Sequence, residues 1–285
     1  RTQPPARRTL PFVPAAPERG RAGVPAFTLS FRRWEQLTPD CLDQGPALVY
    51  LPCQELPGHE DALRRWAQAY PDIGFGVVLP RVVWDRELPR LRRELEAARQ
   101  AGVTQALLGH IGQLPLARSF GLIPRGDFGL GLTNDETAAE LARLGFASAT
   151  ASFESRLAQI RDLSKPLDLE LLVYGRLPLM LMEHCILRNR GQGCHCQDKP
   201  QSLGDRKGEH FPVESAWGCR NELFNAKPLW LADKTDWRTA GAAYARLAFL
   251  REGPGECARV FRAYREGAGE PPRAFTRGLY YRGVE

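Results

Sequence analysis

The chain has 285 residues, of which 43% are hydrophobic, and a formal net charge of +6 at pH 7. This is enough for one large α/β barrel or two ordinary domains with a sizeable core. No apolar run approaches the length of a transmembrane helix, and the opening residues lack the apolar core of a secretory signal. We therefore expect a cytoplasmic protein with no membrane partner.

The opening segment, residues 1–26, is rich in Arg, Pro and Ala and begins with Arg1 rather than Met. We interpret it as a linker to an upstream module of the same, longer chain. The positive charge favours an anionic partner such as RNA, although an ordinary basic surface has the same charge. The sequence predicts no oligomeric state.

Eight short apolar runs recur along the chain, and most are bounded by Pro, Gly or Asn. Such runs are typical of buried parallel strands. They are Phe27–Phe31, Ala47–Leu51, Phe75–Leu79, Gln105–Gly109, Gly129–Thr133, Ser148–Ser152, Glu170–Tyr174 and Ala245–Phe249.

Most of the intervening segments carry apolar residues three or four apart and end at a Pro or Gly, which predicts helices. Thr133 and Glu136 have the spacing of a capping box before one of them. Cys257 lies on the apolar stripe of the last helix, so we interpret it as a small core residue.

Alternating strands and helices predict a mainly parallel sheet, and eight strands predict a closed (β/α) barrel of the TIM-barrel type. An open doubly wound sheet is the alternative. We expect residues 27–175 to form the barrel core and residues 241–285 to complete it. The alternation fails over residues 176–240, which we interpret as a cysteine-rich, metal-binding insertion or cap.

In a parallel barrel the functional side chains lie at the carboxyl ends of the strands. The residues that follow the third to seventh runs are Arg81, His110, Asn134, Glu154 and Arg176. We predict that some of them line a pocket. His110 suits acid–base work because of its ordinary pKa, but is also a plausible turn residue. Asn134 also fits a helix N-cap, and Glu154 also suits a helix N-terminus.

Four of the seven cysteines are bunched in a chain without an export signal, which favours metal over disulfides. Thiolates select zinc or iron–sulfur, and four of them can hold either. The spacing matches neither a zinc ribbon nor a bacterial ferredoxin, so both metals stay open, as do four ordinary cysteines. The candidate ligands are Cys185, Cys194, Cys196 and Cys219, with His184 and His195 as further zinc ligands.

Asp205 and Arg206 precede Gly208 in what the sequence predicts to be a turn into a strand. The pair is either structural or a holder of an anionic group.

The segment Leu172–Met180, followed by Glu183-His184-Cys185, resembles the signature region of peptidase family U32, the collagenase-like proteases. The resemblance runs from about Phe27 to the end and is strongest after Gly126. It continues in order through Asp205–Gly208, Cys219–Asn221, Thr276–Gly278 and Tyr280–Glu285, with weaker matches at Gly126–Phe128 and Ser152–Glu154.

The resemblance implies a barrel-like core and a 4Fe–4S cluster on the four bunched cysteines. The family carries a peptidase, and hence hydrolase, label. Other members act in oxygen-independent hydroxylation of RNA bases or of a quinone precursor. The chain looks most like the later module of the longer members.

Our preferred hypothesis is an iron–sulfur enzyme of oxygen-independent hydroxylation, with RNA as the expected substrate. One alternative is a metal-containing peptidase of collagenase type, although no Gly-x-Ser-x-Gly or His-Glu-x-x-His motif occurs. Another is a non-catalytic RNA- or partner-binding module with a structural cluster. The candidate catalytic residues are His110, Asn134, Glu154, Arg176, Glu183 and His184. The candidate substrate-binding residues are Arg81, Tyr174, Asp205 and Arg206.

Overall fold

A computed structural model describes residues 23–188 and 200–282. The strands in these ranges are β1 Ala26–Phe31, β2 Leu48–Pro52, β3 Gly74–Val78, β4 Gln105–Leu108, β5 Ile123–Gly126, β6 Ser148–Thr150, β7 Asp168–Gly175, β8 Pro178–Met182, β9 Gln201–Gly204, β10 His210–Ala216, β11 Arg220–Phe224, β12 Leu229–Trp230 and β13 Tyr244–Phe249. The helices are α1 Pro39–Leu42, α2 Glu60–Ala69, α3 Leu88–Gln100, α4 Leu114–Ser119, α5 Asp135–Arg143, α6 Leu157–Asp162 and α7 Pro254–Glu266.

Eight parallel strands close into a barrel. Strands β1 to β6 pair in sequence, β13 pairs with β1, and β7 pairs with both β13 and β6. The predicted TIM-barrel architecture is confirmed, and the open doubly wound alternative is wrong because the β6–β7 pairing closes the sheet. None of the helices in the described ranges is long and apolar enough to cross a membrane.

The fifth strand differs from the prediction over Gly129–Thr133. The structure places β5 at residues 123–126, and residues 128–130 form a short 3-10 turn that ends at Gly131 in the left-handed region. The true strand reads Ile-Pro-Arg-Gly, so its Pro and Arg hide it from a search for apolar runs. Of the predicted strand, only Leu132 makes a bridge, to Ala151.

The connection from β7 to β13 carries a second sheet. Strands β8, β11, β10 and β9 pair antiparallel in that order, and we call these four strands the cap sheet. They fall within the segment predicted as an insertion. Strand β12 then returns to the barrel and pairs antiparallel with β7.

A charged network crosses the barrel interior. The buried guanidinium of Arg246 on β13 donates to Glu170 at 3.0 Å through Nε and to Asp127 at 2.9 Å. Glu170 also accepts from the hydroxyls of Thr28 at 2.6 Å and Thr150 at 3.0 Å. Although burial opposes the charge, Glu170 and Asp127 together raise the pKa of Arg246. The interior of the barrel therefore depends on one buried cation with two carboxylates.

We expect Arg246→Met to lower the free energy of unfolding by about 3–5 kcal/mol, since the variant leaves two buried carboxylates without their cation. Urea unfolding at neutral pH measures the loss. Arg259→Met is the control, because the Arg259 side chain is 61% exposed and lies 3.6 Å from Glu256 on α7. The control should lose less than about 1 kcal/mol. Equal losses in the two variants would contradict the account.

Candidate active site at the barrel mouth

A cavity of about 180 Å³ lies between the barrel and the cap sheet. Its walls come from residues at the carboxyl ends of β1, β3, β7 and β13 and from β10, β11 and the turn between them. We call it the rim–cap cavity. It occupies the end of the barrel at which parallel (β/α) barrels place their functional groups.

Two rim arginines meet one carboxylate of the cap. Arg32 follows β1 and donates to Glu222 Oε2 at 3.0 Å, while Arg81 follows β3 and donates to Glu222 Oε1 at 3.2 Å. Arg32 also donates to the carbonyl of Ser215 at 2.7 Å, and the guanidinium of Arg81 lies 5.0 Å from the ring centroid of Phe128. The carboxylate therefore ties the cap sheet to two separate strand ends of the barrel.

A second carboxylate, Glu214, lies directly opposite Glu222 across the β10–β11 pairing. Like charges in that position repel each other. Each is held by its own arginines, because Arg251 donates to Glu214 and Arg33 lies 3.8 Å from it. Both carboxylates are largely buried. The cap sheet thus presents two acidic groups to a basic rim.

Five arginines and two carboxylates line the cavity, and the excess of positive charge is local to Arg32, Arg81 and Arg176, whose one ion-paired carboxylate among the described residues is Glu222. The lining arginines are Arg32, Arg81, Arg176, Arg220 and Arg246, with the carboxylates Asp127 and Glu222. Three carboxylates that do not line the cavity form ion pairs with two of these arginines: Glu170 pairs with Arg246, and Glu87 and Glu183 pair with Arg220. The arrangement suits a ligand that carries an oxyanion.

Arg176 contributes a guanidinium whose hydrogen-bond partners are uncharged, while the carboxylate of Glu252 acts on it electrostatically. It donates to the backbone carbonyls of Asn225, at 3.0 Å, and Ala226. Within the described part of the chain no carboxylate forms an ion pair with it. Burial lowers the pKa of Arg176 from its usual value.

Pairing of β8 with β11 brings two of the predicted metal ligands to one end of the cap sheet. Met182, three residues before Cys185, pairs with Asn221, two residues after Cys219. The amide oxygen of Asn221 accepts from the backbone N–H of Ile186 at 2.7 Å. We call this region, which contains Cys185 and Cys219, the cysteine end.

Cys219 has an unusual backbone. Its φ of 63° is in the left-handed region, where no other non-glycine residue of the described ranges lies. Gly218 before it has φ 74°, and a Cβ there would approach Arg220 Nη1 to 2.2 Å. Backbone strain of this kind clusters at functional sites. The local fold therefore fixes the position of Cys219 at an energetic cost.

The cysteine end adjoins the rim–cap cavity, because Trp217 and Arg220 flank Cys219 and both line the cavity. The other predicted ligands, Cys194 and Cys196, and also His195, lie outside the described residues. In residues 23–188 and 200–282, no three His, Cys, Asp or Glu residues form a metal-binding group. Cys185 and Cys219, half of the predicted ligand set, therefore lie at the same end of the cap sheet.

Arg220 anchors the cysteine end to the barrel. The buried guanidinium donates to Glu183 at 2.6 Å, to Glu87 at 3.0 Å and to the Trp217 carbonyl at 3.2 Å. Glu183 also accepts from the indole of Trp84 at 2.8 Å. The hydrogen bond from Arg220 lowers the pKa of Glu183, and it lowers that of Glu87 despite partial burial. Both carboxylates thus stay ionised, as ion-pair partners.

Three predicted catalytic residues do not line the cavity. Asn134 is the N-cap of α5 and accepts from Thr137 N–H at 2.9 Å, because β5 ends at Gly126, well before the predicted strand. Glu154 is exposed in the turn after β6. His110 is exposed after β4, and partial burial of its ring lowers its pKa. The cap interpretation of Asn134 is the one that the structure shows.

The remaining predicted catalytic and substrate-binding residues, Tyr174, Asp205, Arg206 and His184, also lie outside the cavity lining. Tyr174 is buried, donates to Glu252 at 2.9 Å and packs in the core, which leaves it no surface for a substrate. Asp205 accepts from the N–H groups of Lys207 and Glu209 and so shapes the β9–β10 turn. Arg206 is exposed in that turn, and His184 is exposed at the cysteine end. Of the predicted catalytic and substrate-binding residues, Arg81 and Arg176 line the cavity.

Sequence reasoning missed Arg32, Asp127, Glu170, Glu222 and Arg246. A usable signal existed for the buried pair, because Glu170 and Arg246 are charges of opposite sign inside two apolar runs. The structure places them on neighbouring strands, two register positions apart. Glu222 carried no such signal, since its partners come from the rim of a different sheet.

No protein-family model matches the chain, and no curated protein matches it. Among solved structures, a U32 peptidase is similar over 84% of this chain and 98% of its own, with 12% identity and a TM-score of 0.47. Tryptophan synthase from M. tuberculosis is similar over 86% of this chain and 93% of its own, with 8% identity and a TM-score of 0.48. 3-Dehydroquinate dehydratase from Geobacillus kaustophilus is similar over 85% of this chain and 90% of its own, with 10% identity and a TM-score of 0.44. The barrel is shown by the strand pairings of the chain itself, and its chemistry must be argued from its own residues.

We expect Arg220→Gln to lower the thermal midpoint by a few degrees at pH 7 and to flatten its dependence on acid pH. The lowered pKa values of Glu87 and Glu183 mean that their stabilisation is present above their ordinary pKa of 4.5 and is lost as pH falls below it. Thermal unfolding between pH 3 and pH 6 measures both effects. Arg206→Gln, in the exposed turn, is the control and should follow the parent chain. If the thermal midpoint of Arg220→Gln fell as steeply between pH 6 and pH 3 as that of the parent chain, the anchoring role of Arg220 would be contradicted.

Proposed function

We propose that the chain is an iron–sulfur enzyme that acts on an anionic substrate in the rim–cap cavity, with oxygen-independent hydroxylation of RNA as its reaction. The observation that carries this proposal is that Cys219 lies between Trp217 and Arg220, two residues that line an arginine-rich cavity. A metal centre at the cysteine end would therefore be next to a place where an oxyanion can bind.

The metal part of the proposal assigns the cluster to Cys185, Cys194, Cys196 and Cys219, as the resemblance to family U32 implies. The left-handed backbone of Cys219 and the position of Cys185 and Cys219 at the same end of the cap sheet support that assignment. Hydroxylation of a C–H bond with water as the oxygen source releases two electrons and two protons, so the reaction also requires an external electron acceptor. A cluster, when bound, would carry these electrons one at a time. Zinc on the same thiols is the alternative, and would remove the redox part of the proposal.

The substrate part depends on the size and charge of the cavity. Guanidinium groups bind phosphate through paired hydrogen bonds, and Arg81 over Phe128 offers a planar surface beside them. A volume of about 180 Å³ admits a single base rather than a duplex. We therefore propose that an RNA substrate presents an unpaired nucleotide, with its base taken out of the stack.

A peptidase gains no support from the described residues. Glu183, which stands beside His184 in sequence, is held in an ion pair with Arg220 and accepts from the indole of Trp84, so its carboxylate is occupied by structural contacts. A non-catalytic module with a structural cluster would give the same metal content, so only an activity measurement separates it from the proposed enzyme.

Anaerobically purified protein should be brown and carry about four irons per chain. Cys185→Ala and Cys219→Ala should each lose most of the iron, because each removes one thiolate ligand. Cys257→Ala is the matched control, since Cys257 is buried on α7 in the core. The iron and zinc content of each folded protein, measured by elemental analysis, distinguishes a cluster from a zinc site. A colourless protein with one zinc per chain would contradict the proposal.

RNA from cells that lack the gene should lose a nucleoside that carries one added oxygen, as measured by mass spectrometry of digested RNA. The parent gene should restore it. Arg81→Gln should restore it at least about tenfold less, because a bidentate guanidinium contact contributes about 1.5–3 kcal/mol. Arg206→Gln should restore it fully. An identical nucleoside profile with and without the gene would count against RNA hydroxylation.

A further inference from the structure

We propose that the carboxylate of Glu222 occupies the position of the substrate's anionic group. An oxyanion that enters the rim–cap cavity displaces this carboxylate and binds Arg32 and Arg81 in its place. Glu222 is then the residue that sets the charge a ligand must carry. This inference rests on the proposed binding of an anion in the cavity, and adds to it the residue against which the anion competes.

The geometry of the three side chains is the first support. Glu222 meets each arginine through a single N–H, at 3.0 Å to Arg32 and 3.2 Å to Arg81, with a different oxygen for each. Neither contact uses the paired donors that a guanidinium can offer. The side chain of Arg81 is still 34% exposed. A phosphate, with more oxygens and a larger charge, satisfies two guanidiniums better than one carboxylate does.

The position of Glu222 on the cap sheet is the second support. It lies opposite Glu214, so two buried carboxylates are held side by side in spite of their repulsion. Glu214 contacts Arg251 and lies away from the cavity, whereas Glu222 lines it. Only one of the two paired carboxylates is therefore in a place where a ligand can compete with it.

The charge around the cavity is the third support. Arg176 lines the same cavity and, among the described residues, hydrogen-bonds to backbone carbonyls only. Glu222 supplies one negative charge against the two guanidiniums of Arg32 and Arg81, so this side of the cavity stays positive while Glu222 is in place. A dianion gains from replacing Glu222, while a neutral ligand would leave Arg32 and Arg81 facing each other without a counter-ion.

The test is the affinity of cluster-loaded Glu222→Gln for inorganic phosphate and for a short single-stranded RNA, measured by calorimetry. We expect the affinity for phosphate to rise at least about tenfold over the parent, because the internal competitor is gone. Without phosphate the variant should melt at a lower temperature, and added phosphate should close that gap. Glu209→Gln is the control and should bind phosphate like the parent, since Glu209 is 40% exposed, pairs with Lys227 at 2.6 Å and does not line the cavity.

The two ligands distinguish the source of the anion. A gain for phosphate and RNA alike assigns the site to a backbone phosphate, and a gain for phosphate alone assigns it to a small phosphorylated ligand. Phosphate binding by Glu222→Gln that is unchanged or weaker than that of the parent overturns the inference. The inference is also overturned if neither the parent nor Glu222→Gln binds phosphate. Glu222→Asp, which is too short to reach both arginines, should lie between the parent and Glu222→Gln and guards against a folding defect.

Failure of this inference is distinguishable from failure of the proposed function. Tighter phosphate binding in a protein whose gene leaves RNA unmodified would refute the reaction and support the role of Glu222. An RNA product lost with the gene, together with unchanged phosphate binding in Glu222→Gln, would refute the role of Glu222 alone.

Discussion

The candidate site depends on the ion pairs between the cap sheet and the rim of the barrel. Glu214 and Glu222 project from neighbouring cap strands, and arginines at the ends of β1, β3 and β13 receive them. The two glutamates are largely buried while their arginines are partly exposed, so these ion pairs fix geometry more than they add stability. Here they hold the cap sheet over the barrel mouth and leave a cavity between the two in which Glu222 faces Arg32 and Arg81.

The same cap sheet links that cavity to the cysteine end. Pairing of β8 with β11 places Cys185 and Cys219 at the same end of the cap sheet, and Arg220 joins this end to Glu87 of the barrel. One sheet therefore carries both the carboxylate that faces the substrate position and the thiols proposed to hold metal. Its placement in the connection from β7 to β13, at the carboxyl end of the barrel, explains how one inserted element can supply both functions.

The barrel was predictable from the sequence because apolar runs and helical periods record local burial. The strand β5 was not, since Pro124 and Arg125 interrupt its apolar pattern, and its misplacement put Asn134 at a strand end where the structure has a helix cap. Arg81 and Arg176 were found because they follow correctly placed strands. Glu222 was not, because its role comes from contacts more than 140 residues distant in sequence, which no local pattern encodes.

The most direct test of the account is a crystal structure of anaerobically prepared protein, with diffraction recorded on both sides of the iron absorption edge. The account predicts an iron anomalous peak within bonding distance of the sulfur atoms of Cys185 and Cys219, beside the cavity that Arg220 lines. A map in which these two sulfurs bind no common metal, or in which the peak appears at the zinc edge alone, would contradict it.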